Sequence, residues 1–380
     1  MKISALQLEN FRNFSEERFE FDDGINILAG NNAQGKTNCI EAIHFCSCLK
    51  SYRVLKEEQL IRFGAENASI TLDYEIEGQE ARMKILFARG KPKEFWHNGL
   101  VVPRLRDLLG CFQSVIFTPD HLNLIKEGPN KRRSFLDMAL CSLDLKYTDT
   151  LLNYQKIIKN RNALLRQCQK NYAVSEMLDV WDEKLAEAGA YIAEARQKYI
   201  ARLSEQAKEY YGEISQKPEK LKLIYLNQFT KDAVDREEYA RLILARLRRM
   251  RETDIAMGQT MHGIHKDDIL ILLAGKSMKF FGSQGQIRSA VLAIKLAEAE
   301  CIRQLQGSEP VLLLDDILSE LDAHRQRFIF QRMEGRQTVL STCELGKIRK
   351  KGDKVFHIKD GKVARVRVPA SGSGRADQKG

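Results

Sequence analysis

The run Gly30-Asn31-Asn32-Ala33-Gln34-Gly35-Lys36-Thr37 constrains this chain more than any other part of it. It fits G-x-x-x-x-G-K-[ST]. The apolar stretch Ile25–Ala29 before it reads as a short buried strand, and a helical pattern follows. Strand, glycine loop and helix in that order predict a phosphate-binding loop at the tip of a sheet in an α/β fold. The glycines let backbone N–H groups wrap a phosphate, and the positive end of the helix adds to the attraction. In that geometry Lys36 reaches the β and γ oxygens, and the Thr37 hydroxyl is placed for Mg2+. The expected ligand is ATP with Mg2+.

A second motif answers the first. Val311-Leu312-Leu313-Leu314 is a buried parallel strand in prospect, and it ends in Asp315-Asp316. Ligands sit at the carboxyl ends of such strands. Asp315 is expected to hold Mg2+. Asp316 is expected to act as the catalytic acid that orients the attacking water. The two motifs are separated by most of the chain, whereas compact phosphotransferases keep them in one domain. The nucleotide fold is therefore split around an inserted helical lobe.

Two further segments fit a split head of this kind. Phe281-Gly282-Ser283-Gln284-Gly285-Gln286 precedes an amphipathic helix, Ile287–Gln306, with Ile287, Val291, Ile294, Ala297, Cys301 and Leu305 on one face. It resembles an ABC signature, in which Ser283, Gln284, Gly285 and Gln286 would face the ATP of a second subunit. Ser319-Glu320-Leu321-Asp322 resembles the D-loop that crosses the dimer interface, with Ser319 and Asp322 as its polar ends. Thr342 stands where transporter ATPases carry a switch histidine and is the candidate γ-phosphate sensor.

The first hundred residues alternate strand patterns, with an Asn98-Gly99 hairpin. Residues 130–255 carry helical spacing with few glycines, giving two to four long helices and a short antiparallel arm. Strand patterns return at Ile269–Leu273, Met278–Phe281, Val311–Leu314 and Thr338–Ser341. The expected division is an ATPase lobe of 1–105 and 300–368, a mostly helical lobe of 106–299 that includes the signature helix, and a disordered tail of 369–380.

Net charge is +10, which points to a polyanionic partner, DNA before an anionic membrane. Basic clusters occur at Lys131-Arg132-Arg133, at Lys156, Lys159, Arg161 and Arg166, at Arg246, Arg248, Arg249 and Arg251, and at Lys347, Arg349, Lys350 and Lys351. Such groups contact phosphates without reading sequence. No stretch interleaves aromatics with these charges. Arg12 and Arg53, near the first strand and the P-loop helix, are candidate nucleotide or DNA contacts. The eight cysteines are scattered, as in a reducing cytoplasm. No apolar run approaches the length of a membrane span.

These pieces together resemble the RecF family of ABC/SMC-like ATPases. The resemblance rests on Leu8-Glu9-Asn10-Phe11-Arg12-Asn13-Phe14, the P-loop filling, Leu60-Ile61-Arg62-Phe63-Gly64, Phe117-Thr118-Pro119-Asp120, Gly128-Pro129 with Arg132-Arg133-Ser134-Phe135-Leu136-Asp137, Ser283 to Gln286, and Leu314 to Asp322. One departure stands out: Gly263-Ile264-His265-Lys266-Asp267-Asp268 replaces the usual Gly-Pro-His-Arg-Asp-Asp. The resemblance implies an ATP-dependent homodimer that binds single-strand/duplex junctions, hydrolyses ATP weakly as a release switch, and works with RecR, RecO and RecA in the cytoplasm. A transporter-associated ABC ATPase and a small-molecule phosphotransferase are the rival readings. The missing switch histidine argues against the first, and the long charged helical insertion against the second.

Overall fold

In the computed structural model, residues 1–54, 56–345 and 353–367 are described. The tail 369–380 and the cluster at Lys347, Arg349, Lys350 and Lys351 lie outside them. The chain divides into two compact units, Met1–Pro119 with Ser308–Gly380, and Asp120–Gly307. The division falls at Pro119 and Ser308, not at 105 and 300. Ser114–Phe117 pairs in parallel with Val311–Asp315, which draws residues 106–119 into the first unit, and the helix Gln284–Gln306 runs to the second junction.

The first unit holds two six-stranded sheets. In the mainly parallel one, with Lys362–Arg367 antiparallel at its edge, Ile25–Ala29 lies between Thr338–Thr342 and Lys354–Lys359, and Val311–Asp315 lies between Thr338–Thr342 and Ser114–Phe117. Register sets Asp315 against Ser341, and Thr342 against Ala29. Three strand tips thus share the carboxyl edge where the glycine loop begins. The second sheet is antiparallel and contains Lys2–Glu9, Asn67–Ile76 and Gln79–Ala88. The helix Lys36–Cys48 touches both sheets and is buried along almost all of its length. Its apolar residues, Cys39, Ile40, Ala42, Ile43, Phe45 and Cys46, occupy more than one face and so need cover on more than one side.

The second unit is built on the helix Leu178–Ser215, 38 residues and so about 57 Å long. It packs against Leu145–Cys168, Arg236–Arg249 and Gln284–Gln306. Leu145–Cys168 and Leu178–Ser215 form an antiparallel pair, in which Tyr147 meets Arg196 and Arg161 meets Asp182. A three-stranded sheet, Leu221–Leu226, Asp268–Leu273 and Lys276–Ser277, completes the unit.

Two local expectations are corrected. Met278–Phe281 is one turn of helix, not a strand. The tight turn at Ala274-Gly275 closes the hairpin within two residues, and beyond Ser277 only Met278 finds a buried site while Phe280 and Phe281 are exposed. Leu305, assigned to the apolar face of its helix, is half-exposed because the last turn runs beyond its packing neighbours.

Candidate phosphate-binding site

The loop Gly30–Thr37 is fixed by backbone geometry that only glycine meets at its two ends. Gly30 has φ 156° and Gly35 φ 119°. A Cβ on Gly30 would lie 2.4 Å from the Ile358 carbonyl oxygen, and one on Gly35 would lie 2.9 Å from both Asn13 and Phe14. The positive φ and these close approaches exclude a side chain. The loop is also tethered from outside. Asn13 Nδ2 donates to the Gln34 carbonyl at 2.9 Å, and the N–H of Asp360 donates to Gln34 Oε1 at 2.6 Å. Within the loop, the Lys36 ammonium donates to the carbonyls of Gly30 and Asn31 at 2.6 and 2.7 Å.

Asp315 is buried at the adjacent strand tip and is the hub of the polar groups. Its Oδ1 accepts from Thr37 Oγ1 at 2.9 Å and Ser341 Oγ at 2.8 Å, and its Oδ2 accepts from Tyr52 OH at 3.2 Å. Burial raises the Asp315 carboxyl above its usual range, and the hydroxyls of Ser341, Thr37 and Tyr52 pull it back. Burial, with the Asp315 charge next, pushes the Tyr52 phenol well up. One hydroxyl and one carboxylate within 2.9 Å of each other suit a small hard cation that takes its other ligands from phosphate and water. The described residues hold no cluster of three or more His, Cys, Asp or Glu able to bind a metal.

Asp316 is exposed in the left-handed region, φ 51°, and its N–H donates to Ser341 Oγ at 3.0 Å. Ser341 therefore joins both aspartates to the neighbouring strand. Ser319 Oγ donates to the Asp316 carbonyl at 2.8 Å. Asp322 caps the helix Ala323–Met333 by accepting from Arg325 N–H at 2.9 Å. That hydrogen bond, ahead of other terms, holds its carboxyl below the usual range. The Thr342 hydroxyl, at the strand tip beside Ala29, accepts from the Glu344 N–H at 3.0 Å. The neighbouring Cys343 meets the loop, with Sγ 3.3 Å from Lys36 Nζ and 3.0 Å from Asn32 Oδ1.

In the second unit, Ser283 is an exposed N-cap. Its hydroxyl accepts from Gln286 N–H at 3.2 Å, while Gln286 Oε1 accepts from the Ser283 N–H at 2.9 Å, a complete capping box. Gln284, exposed, and Gly285, half-buried, form the first turn of that helix.

Arg12 and Arg53 share one anchor. Arg12 donates to both oxygens of the fully buried Glu41 at 2.8 and 3.0 Å, and Arg53 Nη1 donates to Glu41 Oε2 at 3.1 Å. Arg132 is corrected as a DNA contact. It is buried, donates to both oxygens of Asp268 at 2.6 and 2.9 Å, and fills the carbonyls of Leu124 and Glu127. Arg161 is corrected likewise, since it is fully buried between Asp182 and Asp254. Arg133 is half-buried on the Asp267 carbonyl, whereas Lys131, Arg248 and Arg249 are exposed. Arg248 lies 3.4 Å from Glu183.

The departing segment Gly263–Asp268 is folded inward. Arg196, itself buried, binds Asp137 at 2.7 Å and lies 3.7 Å from Asp267, and His265 Nδ1 meets Tyr154 OH at 3.0 Å. Ile264 is buried, whereas Lys266 is exposed. Its two acids serve buried arginines and so hold the helices together.

Sequence reasoning missed Ser341, Tyr52, Cys343 and Glu41. Only Ser341 and Cys343 left a trace, as neighbours of Thr342 at a strand end. Tyr52 and Glu41 carried no motif.

Comparison with known proteins agrees with this geometry. A family model described as the RecF/RecN/SMC N terminal domain matches residues 2–361. The DNA replication and repair protein RecF of Clostridium acetobutylicum is 37% identical over 367 residues, which cover 96% of this chain and 99% of that protein. That of Ruminiclostridium cellulolyticum is 36% identical over 345 residues, covering 90% and 92%. A solved structure of the recombination mediator protein RecF-ATPrS in the RecFOR pathway superposes with TM-score 0.90 at 34% identity, covering 95% of this chain and 97% of that one. An Smc head bound to the C-winged helix domain of ScpA shares the fold alone, with TM-score 0.55 at 17% identity over 97% of each chain. With a split P-loop head, an aspartate hub at its sheet edge and relatives of this identity over nearly the whole length, the chain belongs to the RecF family of ABC/SMC-type ATPases.

Proposed function

We propose that this protein is an ATP-gated DNA-binding protein of recombinational repair and replication. The observation that carries the reading is the 2.9 Å pairing of Thr37 with Asp315 beside the glycine loop. ATP would lie along Gly30–Thr37, with Lys36 leaving the Gly30 and Asn31 carbonyls for the β and γ oxygens. Thr37 and Asp315 would hold Mg2+, which neutralises developing charge on the phosphates. Asp316, exposed and held by Ser341, orients the attacking water. Cys343 supports the far side of the loop more directly than Thr342.

Two copies would close on two ATP molecules, each held by one P-loop and by Ser283 to Gln286 of the second copy, with Ser319 and Asp322 at the crossing. Binding closes the dimer on DNA, and slow hydrolysis releases it. Solved relatives described as RecF-ATPrS and RecF-ATP support the ligand. Family membership supports junction DNA as the target and RecR, with RecO and RecA downstream, as partners. No helix among the described residues is long and apolar enough to cross a membrane, and the cytoplasm is the site of action that family membership supports.

The test is fluorescence anisotropy with junction, single-stranded and duplex DNA, in ATP, in ADP and without nucleotide. ATP is expected to tighten junction binding, and Lys36→Met and Ser283→Arg are each expected to abolish the gain. DNA binding indifferent to nucleotide would sink the proposal.

A further inference from the structure

A groove of about 720 Å³ runs between the helices Leu145–Cys168 and Leu178–Ser215. We infer that it is the track for the single-stranded segment of bound DNA, an inference that rests on the DNA-binding reading above. The first helix lines it with Lys146, Asn153, Lys156 and Asn160. Offsets of seven, ten and fourteen residues keep these on one face. The second helix answers with Trp181, Lys184 and Tyr191, and Arg236 closes one end.

The cations are held against aromatic rings. Lys146 Nζ is 5.0 Å and the Arg236 guanidinium 4.7 Å from the Tyr191 ring centre, and Lys184 Nζ is 5.4 Å from that of Trp181. The Tyr191 hydroxyl is fixed on Asp144 at 2.6 Å. Lys156 is exposed and makes no hydrogen bond or ion pair among the described residues. Against these four cations the lining carries two carboxylates, Asp149 and Glu187. Arg236 also pairs with Glu194 at 3.1 Å. The lining itself carries two more cations than carboxylates, beside half-buried aromatic rings, with Asp144 and Glu194 behind Tyr191 and Arg236.

That combination suits unpaired nucleotides. Phosphates take the lysines, and a base stacking on Trp181 releases Lys184 to the next phosphate. Stacking of this kind tolerates any sequence and requires a base face that a duplex hides. From Lys146 to Asn160 the helix advances about 21 Å, room for several nucleotides of an extended single strand. The sequence alone gave no aromatic interleaving because Trp181 and Tyr191 stand on a different helix from Lys146 and Lys156.

The test uses the full chain with ATP, fluorescein-labelled oligo(dT), a blunt duplex and a junction. Trp96→Phe leaves Trp181 as the single tryptophan. Oligo(dT) is expected to quench it. Lys156→Glu with Lys184→Glu is expected to weaken oligo(dT) binding at least tenfold. It should also reduce the slope of log K against log salt by about 1.4, two contacts at about 0.7 each. Lys208→Glu with Lys217→Glu makes the same charge change outside the groove and should leave both values near those of the unsubstituted chain. The inference is overturned if the two pairs weaken binding equally, if the groove pair affects only the duplex, or if Trp181 fluorescence is unmoved. If the unsubstituted chain itself binds no DNA in ATP, the reading of function fails, not the groove alone.

Discussion

Arg161→Met tests the inward reading of the basic clusters. Arg161 has no exposed surface, and its Nε donates to Asp182 Oδ1 at 2.7 Å. Its Nη1 donates to Asp254 Oδ2 at 2.7 Å and to Thr260 Oγ1 at 2.8 Å. Methionine fills a similar volume without charge, so the cost is mainly that of the two carboxylates left behind. Asp182 keeps Arg251 at 2.7 Å, whereas among the described residues the Asp254 carboxylate keeps the Met261 N–H at 3.0 Å once the guanidinium is gone. Breaking a buried pair from one side costs about 3–5 kcal/mol. Because Asp182 retains a cation, the lower half of that range is expected. Adding Asp254→Asn removes the stranded charge and should recover about 1.5 kcal/mol or more of the loss, a coupling that a double-mutant cycle isolates. The assay is urea unfolding followed by Trp181 fluorescence in a Trp96→Phe background, since Trp181 packs against the helical cluster that contains Leu164, Leu165 and Leu178. A loss below about 1 kcal/mol, together with weakened DNA binding, would refute the argument and return Arg161 to the surface.

Three further outcomes follow from the site and its supports. Ser341→Ala removes the donor to Asp315 and the acceptor for the Asp316 N–H, and should cost about 2 kcal/mol of stability, as for hydrogen bonds to charged groups. It should also raise the Mg2+ concentration needed for ATP binding; unchanged Mg2+ titrations in a fluorescent-nucleotide assay would contradict it. Glu41→Gln leaves Arg12 and Arg53 facing a neutral amide, so the unfolding midpoint should fall; an unchanged midpoint would show that Glu41 is not their anchor. His265 and Asp267 should bend the pH profile of stability in opposite directions. Burial lowers His265 to about 4, so its contribution is present above its unfolded value of 6.5 and is lost as pH falls through about 4. Burial raises Asp267 to about 6, so its contribution is present below its unfolded value of 3.8 and is lost as pH rises through about 6. Between pH 4 and 6, His265→Gln should therefore reduce the loss of stability on acidification, and Asp267→Asn should increase it. Urea midpoints across that range check both signs.

The eight residues from Gly30 to Thr37 were legible because their chemistry is local. A contiguous backbone path, two glycines, one lysine and one hydroxyl make a phosphate cradle wherever a strand feeds a helix. Asp315 was legible for a related reason, since an apolar run ending in an acid puts that acid at a sheet edge whatever lies beside it. The split of the nucleotide fold followed from the distance between the two motifs. What the sequence could not decide is where charge is buried. Arg132, Arg161 and Lys156 read alike as basic residues on helices. Yet Arg161 turns inward to carboxylates 21 and 93 residues away, Arg132 is fixed by Asp268, and Lys156 stays in solvent. The same holds for Ser341, Tyr52 and Glu41, whose roles exist only once distant strands and helices meet. A buried ion needs partners within about 3 Å, and only the tertiary structure supplies them.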